Sequence, residues 1–576
     1  MKKTSVVLTS AYIPGIYPPG KDDVVVDLLA PAFLKSSADA DPQIAQRYDA
    51  RVVYSRTDED QEKIAKKILK TSPRIVGYST YLWNYNQMVE NAAHIKRLSP
   101  DTKVIFGGPQ VSYGAEEVLR ENPSIDIVVS GSGELRFKDM LKRDLSPKAL
   151  SEMPQISYRH NGRIISTSGE VHEDLSQVPS PYKSGAINLR DGKKHTVFLE
   201  TFRGCPFKCQ YCIWGGPESK TNRFPLEQIL GDVDEIYNNP NVEYVCITDA
   251  NLFYTPRDHW KPILDRMASS SKRIPTVATL DIRVMNEEMV RELSRIDLAF
   301  NQFHFGMQST NQKALEITDR KCKNETWIKG IDMIRKTAPS VDISLDMIYG
   351  LPGDNYEGFK KTVDFALALK PSRLYLFPLL VLPGTPFWER KDELEFELSG
   401  KPDYMVRSNK TYSKGDMLRS IDFSMWFQTL QRFPAVFEGL ISAAENNPQI
   451  KRIDIIDEFI ESMKSQVNPI KDEIFNFTGE SNNSIRRKMM DFMSRPENCL
   501  SAYDVALRVL NRHAPNSLSE ISLGKDLYRE IAKSNGRKEK ILSAFRDTHG
   551  DEKLKRIICN WVVAGKNSDD AVLTSD

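Results

Sequence analysis

The sequence predicts an α/β protein made of three units in a row: a doubly wound parallel sheet, a partly open six-fold βα barrel and a mainly helical C-terminal part. Two observations carry the prediction. Short β-rich runs alternate with amphipathic stretches over residues 1–146 and again over 195–390, with a polar stretch holding several Pro and Gly between them. Beyond residue 390 the β-rich runs stop and helical patterns rich in Lys, Glu and Arg take over, as at 520–533 and 538–545. The expected units are therefore 1–146, a linker at 147–194, 195–390 and 391–576. A length of 576 residues leaves room for about three to five domains.

In the first unit the expected strands are 5–10, 51–54, 74–80, 103–106 and 126–130, with helices at 58–69 and 84–98. Ligands of such sheets lie beyond the carboxyl ends of the strands, at the switch point of the strand order. Those ends are Ala11-Tyr12-Ile13-Pro14-Gly15, Thr80-Tyr81-Leu82-Trp83-Asn84, Gly107-Gly108-Pro109 and Gly131-Ser132-Gly133-Glu134. The G-x-G-x-x-G fingerprint of dinucleotide sites is missing after the first strand, where Ser10-Ala11-Tyr12 stands, so NAD is not expected. The linker carries short strands, such as 156–159. In the second unit, strands are expected at 196–201, 244–248, 276–280, 301–305, 342–348 and 373–377. Thr255-Pro256 reads as an N-cap followed by a first-turn proline, and Asn286 as the cap of the next helix. The working face of such a barrel is the carboxyl end of its strands.

With 79 basic and 78 acidic side chains, the net charge of +1 argues against a polyanion-coating role, and no nucleic-acid module is recognisable. No apolar run approaches the roughly 20 residues that span a bilayer. The N-terminus reads as a first buried strand, so a cytoplasmic protein without a membrane partner is expected. Seven cysteines are too few for a disulfide scaffold, but Cys205, Cys209 and Cys212 fall in a C-x3-C-x2-C spacing directly after the first barrel strand. A closed zinc site wants four protein ligands, and the nearest histidines, His195 and His259, lie away from the trio. An iron–sulfur cluster held by three thiolates keeps one iron open, which suits a barrel mouth. A zinc knuckle completed from a distance is the alternative. Cys246, Cys322, Cys499 and Cys559 are expected to be buried small side chains.

The motif Arg203-Gly204-Cys205-Pro206-Phe207-Lys208-Cys209-Gln210-Tyr211-Cys212 resembles that of the radical S-adenosylmethionine (SAM) superfamily, whose fold is a (βα)6 partial TIM barrel. The resemblance covers roughly 196–386 and implies a [4Fe–4S] cluster on Cys205, Cys209 and Cys212, with SAM chelating the open iron. It implies that Tyr211 packs near the adenine. It also implies SAM contacts from Asp249 and Asn251 in Thr248-Asp249-Ala250-Asn251, from Gln308 and Ser309 in His304-Phe305-Gly306-Met307-Gln308-Ser309, and from Gly350 and Leu351 in Ile348-Tyr349-Gly350-Leu351-Pro352-Gly353.

The loops of the first unit are similar to the Rossmann-like cobalamin-binding half of B12-dependent members of that superfamily. This implies cobalamin contacts from Tyr12, Ser79, Thr80, Tyr81, Trp83, Asn84, Gly107, Gly108, Pro109, Gly131, Gly133 and Glu134. Ser132 replaces the acidic residue of the family's usual GEGE-like turn. The D-x-H-x-x-G motif that supplies a lower histidine ligand to cobalt is absent: His94 is the sole histidine before His160, and position 92 is Ala. Trp83 is then the residue expected to cover the lower face, with plain core packing as its other reading.

The resemblance implies hydrogen abstraction by a 5′-deoxyadenosyl radical, then methyl transfer from methylcobalamin to an unactivated carbon of a natural-product or peptide substrate. No catalytic residue is assigned beyond the cluster. Rearrangement without net methylation is the alternative, and a light or redox sensor a more distant one. A reductant such as flavodoxin or ferredoxin and a monomeric state complete the expectation. In the C-terminal part, Trp426, Phe427, Phe433 and Phe437 are expected in the core, with a substrate pocket as their other reading, and Tyr404, Arg407 and Tyr412 on an exposed loop, with the border of a substrate cavity as theirs; Arg486-Arg487-Lys488 and Lys538-Glu539-Lys540 are expected on solvated helix faces.

Overall fold

A computed structural model of the chain describes residues 3–14, 23–171, 173–214, 221–299, 302–447, 449–467, 488–489, 492–493, 495–514, 518–533 and 538–557. The strands of the first half are β1 (Thr4–Tyr12), β2 (Val25–Val26), β3 (Tyr48–Arg56), β4 (Ile75–Ser79), β5 (Lys103–Gly107), β6 (Ile127–Val129), β7 (Ile156–His160) and β8 (Arg163–Ser166). All but β2 form one sheet in the order β3-β1-β4-β5-β6-β7-β8. Its first five members are parallel, and the β7–β8 hairpin continues it antiparallel.

The side chains of β4 and β6 are buried throughout, as a parallel strand covered on both faces requires. One face packs Ile64, Ile68, Met88 and Ile95 from helices Gln61–Leu69 and Tyr85–Leu98; the other packs Ala38, Phe137, Met140 and Leu141 from helices Leu29–Asp39 and Glu134–Lys142. The chain leaves β1 for β3 on one side and returns to β4 on the other, so the switch point opens beyond the ends of β1 and β4.

The second unit runs β9 (His195–Leu199), β10 (Phe202–Arg203), β11 (Asn222–Arg223), β12 (Val242–Ile247), β13 (Thr276–Val277), β14 (Thr279–Leu280), β15 (Gln302–Gln308), β16 (Asp342–Tyr349) and β17 (Arg373–Pro378). Two parallel sheets, β13-β12-β9-β2 and β14-β15-β16-β17, meet at Ala278, where one stave of the arc is broken. The arc therefore has a stave that the sequence reading did not foresee: Val25 and Val26, from the front of the chain, pair with His195 and Thr196. On β15, Phe303, Phe305 and Met307 pack in the core, while His304, Gly306 and Gln308 alternate onto the barrel's inner face.

Several expectations need correction. The hydroxyl of Thr255 donates to the carbonyl of Leu252, and Pro256 takes the cap position of helix Arg257–Ser269; Asn286 does cap its helix, accepting from the Met289 N–H at 3.0 Å. The C-terminal part opens with a short antiparallel pair, Glu397–Leu398 with Val406–Ser408, before its first helix, Lys414–Leu430. Tyr404 and Tyr412 are buried rather than exposed: Tyr404 meets Trp388 edge-on, and the hydroxyl of Tyr412 pairs with that of Ser420. Trp426, Phe427 and Phe433 are core residues, and Phe437 packs against them half-buried. Cys246 and Cys499 are buried, but Cys322 is only half-buried. Gly15, Asn301, Arg486, Arg487 and Cys559 lie outside the described residues, as does the side chain of Glu539. Among the described residues no helix is long and apolar enough to cross a membrane.

Candidate active site

The trio of cysteines sits on the loop that follows β9 and β10, at the carboxyl end of the barrel. Cys209 is buried, while Cys205 and Cys212 are half-buried. The loop is fastened on both sides of Gln210: its N–H donates to the Thr318 carbonyl at 3.0 Å, and its carbonyl accepts from Phe387 N–H at 2.9 Å. Burial pushes the Cys205 thiol up and the Cys212 thiol to about 11. Each thiol feels the charge of the Cys209 thiol, so the three share one electrostatic neighbourhood. Among the described residues no three of His, Cys, Asp or Glu converge closely enough to share a single metal ion. A polynuclear iron–sulfur cluster asks for something else, since its thiolates bind separate irons. The donor set, three thiols and no histidine, fits a cluster with one open iron.

Cations that the sequence reading missed surround the loop. Arg320 donates from Nη1 to Cys209 Sγ at 3.7 Å and from Nη2 to the Gly306 carbonyl at 2.5 Å. Arg283 lies 3.8 Å from the centroid of the Phe207 ring and pairs with Asp281. Burial pushes the Asp281 carboxyl up, but Arg283 and Arg320 outweigh it and hold it at about 2. Arg320 carries no signal in the sequence, because only the fold brings it to Cys209.

The expected SAM contacts divide in two. Asp249 is turned inward: it accepts from the Thr201 N–H at 2.8 Å and from the Thr201 hydroxyl, which fixes the chain just ahead of the cysteines. Ser309 is taken up by Asp354 and Asn311, the Gly350 carbonyl by Asn409, and Leu351 is buried. By contrast, Asn251 Nδ2 and Gln308 Oε1 are buried and find no protein partner among the described residues. Gln308 is held in the left-handed region at φ 70°, where β15 slips register against β16. Unused hydrogen-bonding capacity at two strand ends, one stave apart on the same rim, is what a nucleoside site would leave open. Tyr211 lies half-buried between the cluster loop and the barrel core.

On the sheet side, Asn84 is a cross-tie: its Nδ2 donates to Ser10 Oγ, Ala11 O and Ser79 O, and its Oδ1 accepts from Tyr81 N–H. Thr80 bonds the Gly107 carbonyl through both N–H and hydroxyl, and the Gly131 N–H donates to Ser112 Oγ. Gly108, at φ 101°, lets the next loop pass over Thr80; a Cβ there would lie 2.5 Å from the Thr80 carbonyl oxygen. Pro109 then starts a short helix, and Gly133 precedes helix Glu134–Lys142, where a Cβ would press on Leu34. Trp83 is 40% exposed and stacks on Tyr81 with ring centroids 4.5 Å apart, so it is not core packing. Tyr12, half-buried, borders the same opening at the end of β1. Cross-tied strand ends below an aromatic pair whose outer member, Trp83, is exposed fit a flat, largely apolar ligand.

Comparisons with known proteins follow the same division. The family model for the B12 binding domain matches residues 43–141, and that for the Radical SAM superfamily matches residues 199–366. The cobalamin-dependent radical SAM methyltransferase TokK of Streptomyces tokunonensis is 27% identical over 378 residues, covering 62% of this chain and 54% of TokK. The chain thus matches about half the length of this curated relative. Among solved structures, the cobalamin-dependent SAM radical enzyme OxsB with aqua-cobalamin superposes with a TM-score of 0.61 at 15% identity, over 96% of this chain and 85% of OxsB. TsrM from Kitasatospora setae with cobalamin and a [4Fe–4S] cluster bound gives 0.57 at 13%, over 86% and 100%. These last two likenesses are of fold. With both domain matches in the order in which the fold presents its two sites, the chain combines a B12 binding domain with a Radical SAM domain, and these domains imply cobalamin, a [4Fe–4S] cluster and SAM as cofactors.

Proposed function

We propose that the protein is a methyltransferase that places a methyl group on an unactivated carbon of a natural-product or peptide substrate. The observation that carries this reading is that the cluster loop and the carboxyl end of the sheet face one another, joined by an ion pair between Arg203 and Glu134. When bound, the cluster with SAM supplies hydrogen abstraction and cobalamin supplies a transferable methyl group.

The chain's own residues hold and shield. Cys205, Cys209 and Cys212 ligate, and Arg320 screens thiolate charge at Cys209. Asn251 and Gln308 hydrogen-bond the nucleoside with the atoms they leave unused, while Tyr211 borders it. Asp249, Ser309, Gly350 and Leu351 shape the loops around it. Trp83, stacked on Tyr81, would lie against the corrin and shield it from water. Tyr12, Ser79, Thr80, Asn84, Gly107, Gly108, Pro109, Gly131, Gly133 and Glu134 form its rim. The units 1–146, 147–194, 195–390 and 391–576 are then cobalamin domain, linker, radical SAM core and helical cover. A flavodoxin or ferredoxin supplies electrons to a cytoplasmic monomer that engages neither nucleic acid nor membrane.

Anaerobic reconstitution with iron, sulfide and cobalamin, then SAM and reductant, tests the reading. Methyl transfer requires deoxyadenosine and S-adenosylhomocysteine to form together, with a product that has gained a methyl group. Deoxyadenosine with an unmethylated, rearranged product would overturn it. Alanine at any of the three cysteines is expected to abolish both cluster absorbance and SAM cleavage.

A further inference from the structure

Arg203, two residues before Cys205, stands where separate parts of the chain meet. Its Nη2 donates to Glu134 Oε1 at 2.7 Å and to Glu200 Oε2 at 3.0 Å, and its Nε reaches Glu200 Oε2 at 3.1 Å. Its Nη1 reaches Glu134 Oε2 at 3.3 Å, and both Ser132 Oγ and Glu173 Oε1 at 3.4 Å. The rings of Phe33 and Phe224, stacked 5.5 Å apart, lie 5.7 and 5.5 Å from its Cζ. Ser132 belongs to the turn after β6 and Glu134 opens the helix that follows it, Phe33 belongs to a helix of the sheet domain, Glu173 to the linker, and Glu200 directly follows β9.

A guanidinium offers five donors in a rigid plane, and here that plane is used on both sides of the domain boundary. The arrangement costs burial of charge, which several charge-assisted hydrogen bonds of fixed geometry offset. It also reaches the aromatic platform: Tyr81, stacked under Trp83, lies within the field of Glu200, Arg203 and Glu134.

We propose that Arg203 is a positioning residue that clamps the cluster loop to the corrin-binding face and thereby sets the separation of the two cofactors. The separation is independent of what the substrate is; the methylation arm of the test rests on the proposed function. Arg203→Lys keeps the charge and loses the fork, and Glu134→Gln keeps the size and loses the charge. Arg190→Lys, whose pair with Glu235 is exposed, serves as the control.

Each variant is reconstituted with cluster and cobalamin, and iron, sulfide and cobalamin contents are measured. Magnetic coupling between the one-electron-reduced cluster and Co(II) cobalamin is then recorded in frozen solution. Arg203→Lys is expected to load both cofactors fully, and Glu134→Gln to load the cluster fully and cobalamin when it is supplied in excess, both with weakened or broadened coupling. Deoxyadenosine formed per methylated product is expected to rise, by up to about 100-fold for a displacement near 1 Å. Unchanged coupling and an unchanged ratio in loaded Arg203→Lys would overturn the proposal. Failure of both variants to fold would overturn it too, because Arg203 would then serve stability alone. If the wild-type protein makes no methylated product, the proposed function fails and the coupling result still decides the role of Arg203.

Discussion

Gly108 shows how much a single residue can govern at this site. Its φ of 101° is open to glycine and costly for anything else, and the Thr80 backbone fills the place of a side chain, with the nitrogen 2.8 Å and the oxygen 2.5 Å from a Cβ. Gly108→Ala is expected to cost about 2 kcal/mol or more, read as a lower urea midpoint, and to release cobalamin more readily from the reconstituted protein. The doublet Gly107-Gly108 was legible in the sequence as a strand end expected to contact cobalamin, whereas the close approach of the Thr80 backbone was not. The cysteine trio was legible because its chemistry is local and its spacing short. Arg320 and Glu200 were not: nothing beside them in the chain distinguishes them from surface charges, and only the curvature of the barrel brings them to the site.

At the level of elements, strand identity was readable from β-rich runs, but strand ends and breaks were not. The break at Ala278 and the slip between Gly306 and Gln308 are set by neighbouring strands, and the slip is what turns Gln308 to its left-handed conformation. The family resemblance implied a SAM contact for Asp249; in the fold its oxygens tie the end of β12 to the segment after β9. Burial raises its carboxyl to about 7 from an ordinary 3.8, despite the Thr201 bonds. Between those values the folded chain keeps a proton that the unfolded chain has lost, so this group subtracts stability as pH climbs through that window. Asp249→Asn is expected to flatten the thermal-unfolding midpoint between about pH 4 and 7; an unaltered slope would refute that assignment.

Across the whole molecule, the sheet domain and the barrel are joined at two ends, by Arg203 beside the cysteine loop and by His195 at the opposite rim. His195, nearly fully buried, sits between Asp27 at 3.1 Å and Asp191 at 2.9 Å, and Tyr54 completes the cluster with a 3.0 Å bond to Asp27. Burial pulls the imidazole down, but the two carboxylates outweigh it and its pKa ends above 6.5. Its contribution is therefore full below about 6.5 and lost as pH rises through the folded value. His195→Gln, which leaves Asp27 buried beside an uncharged amide, is expected to cost about 3 kcal/mol, with the largest deficit at acid-to-neutral pH, measured by denaturant unfolding across a pH series. The tripartite order was visible in the sequence. The interlock was not, since two valines ahead of the first helix give no sign that they belong to a sheet whose next stave begins at His195. That stave has a consequence for inheritance. A protease site introduced at exposed Gly169 should yield fragments that still co-elute, because the later half keeps a strand borrowed from the earlier one. Residues 195–390 are accordingly no exchangeable cassette: transplanted alone into another protein they would arrive with an unpaired edge along β9, so recombination between relatives can succeed only where the front of the chain travels with its barrel.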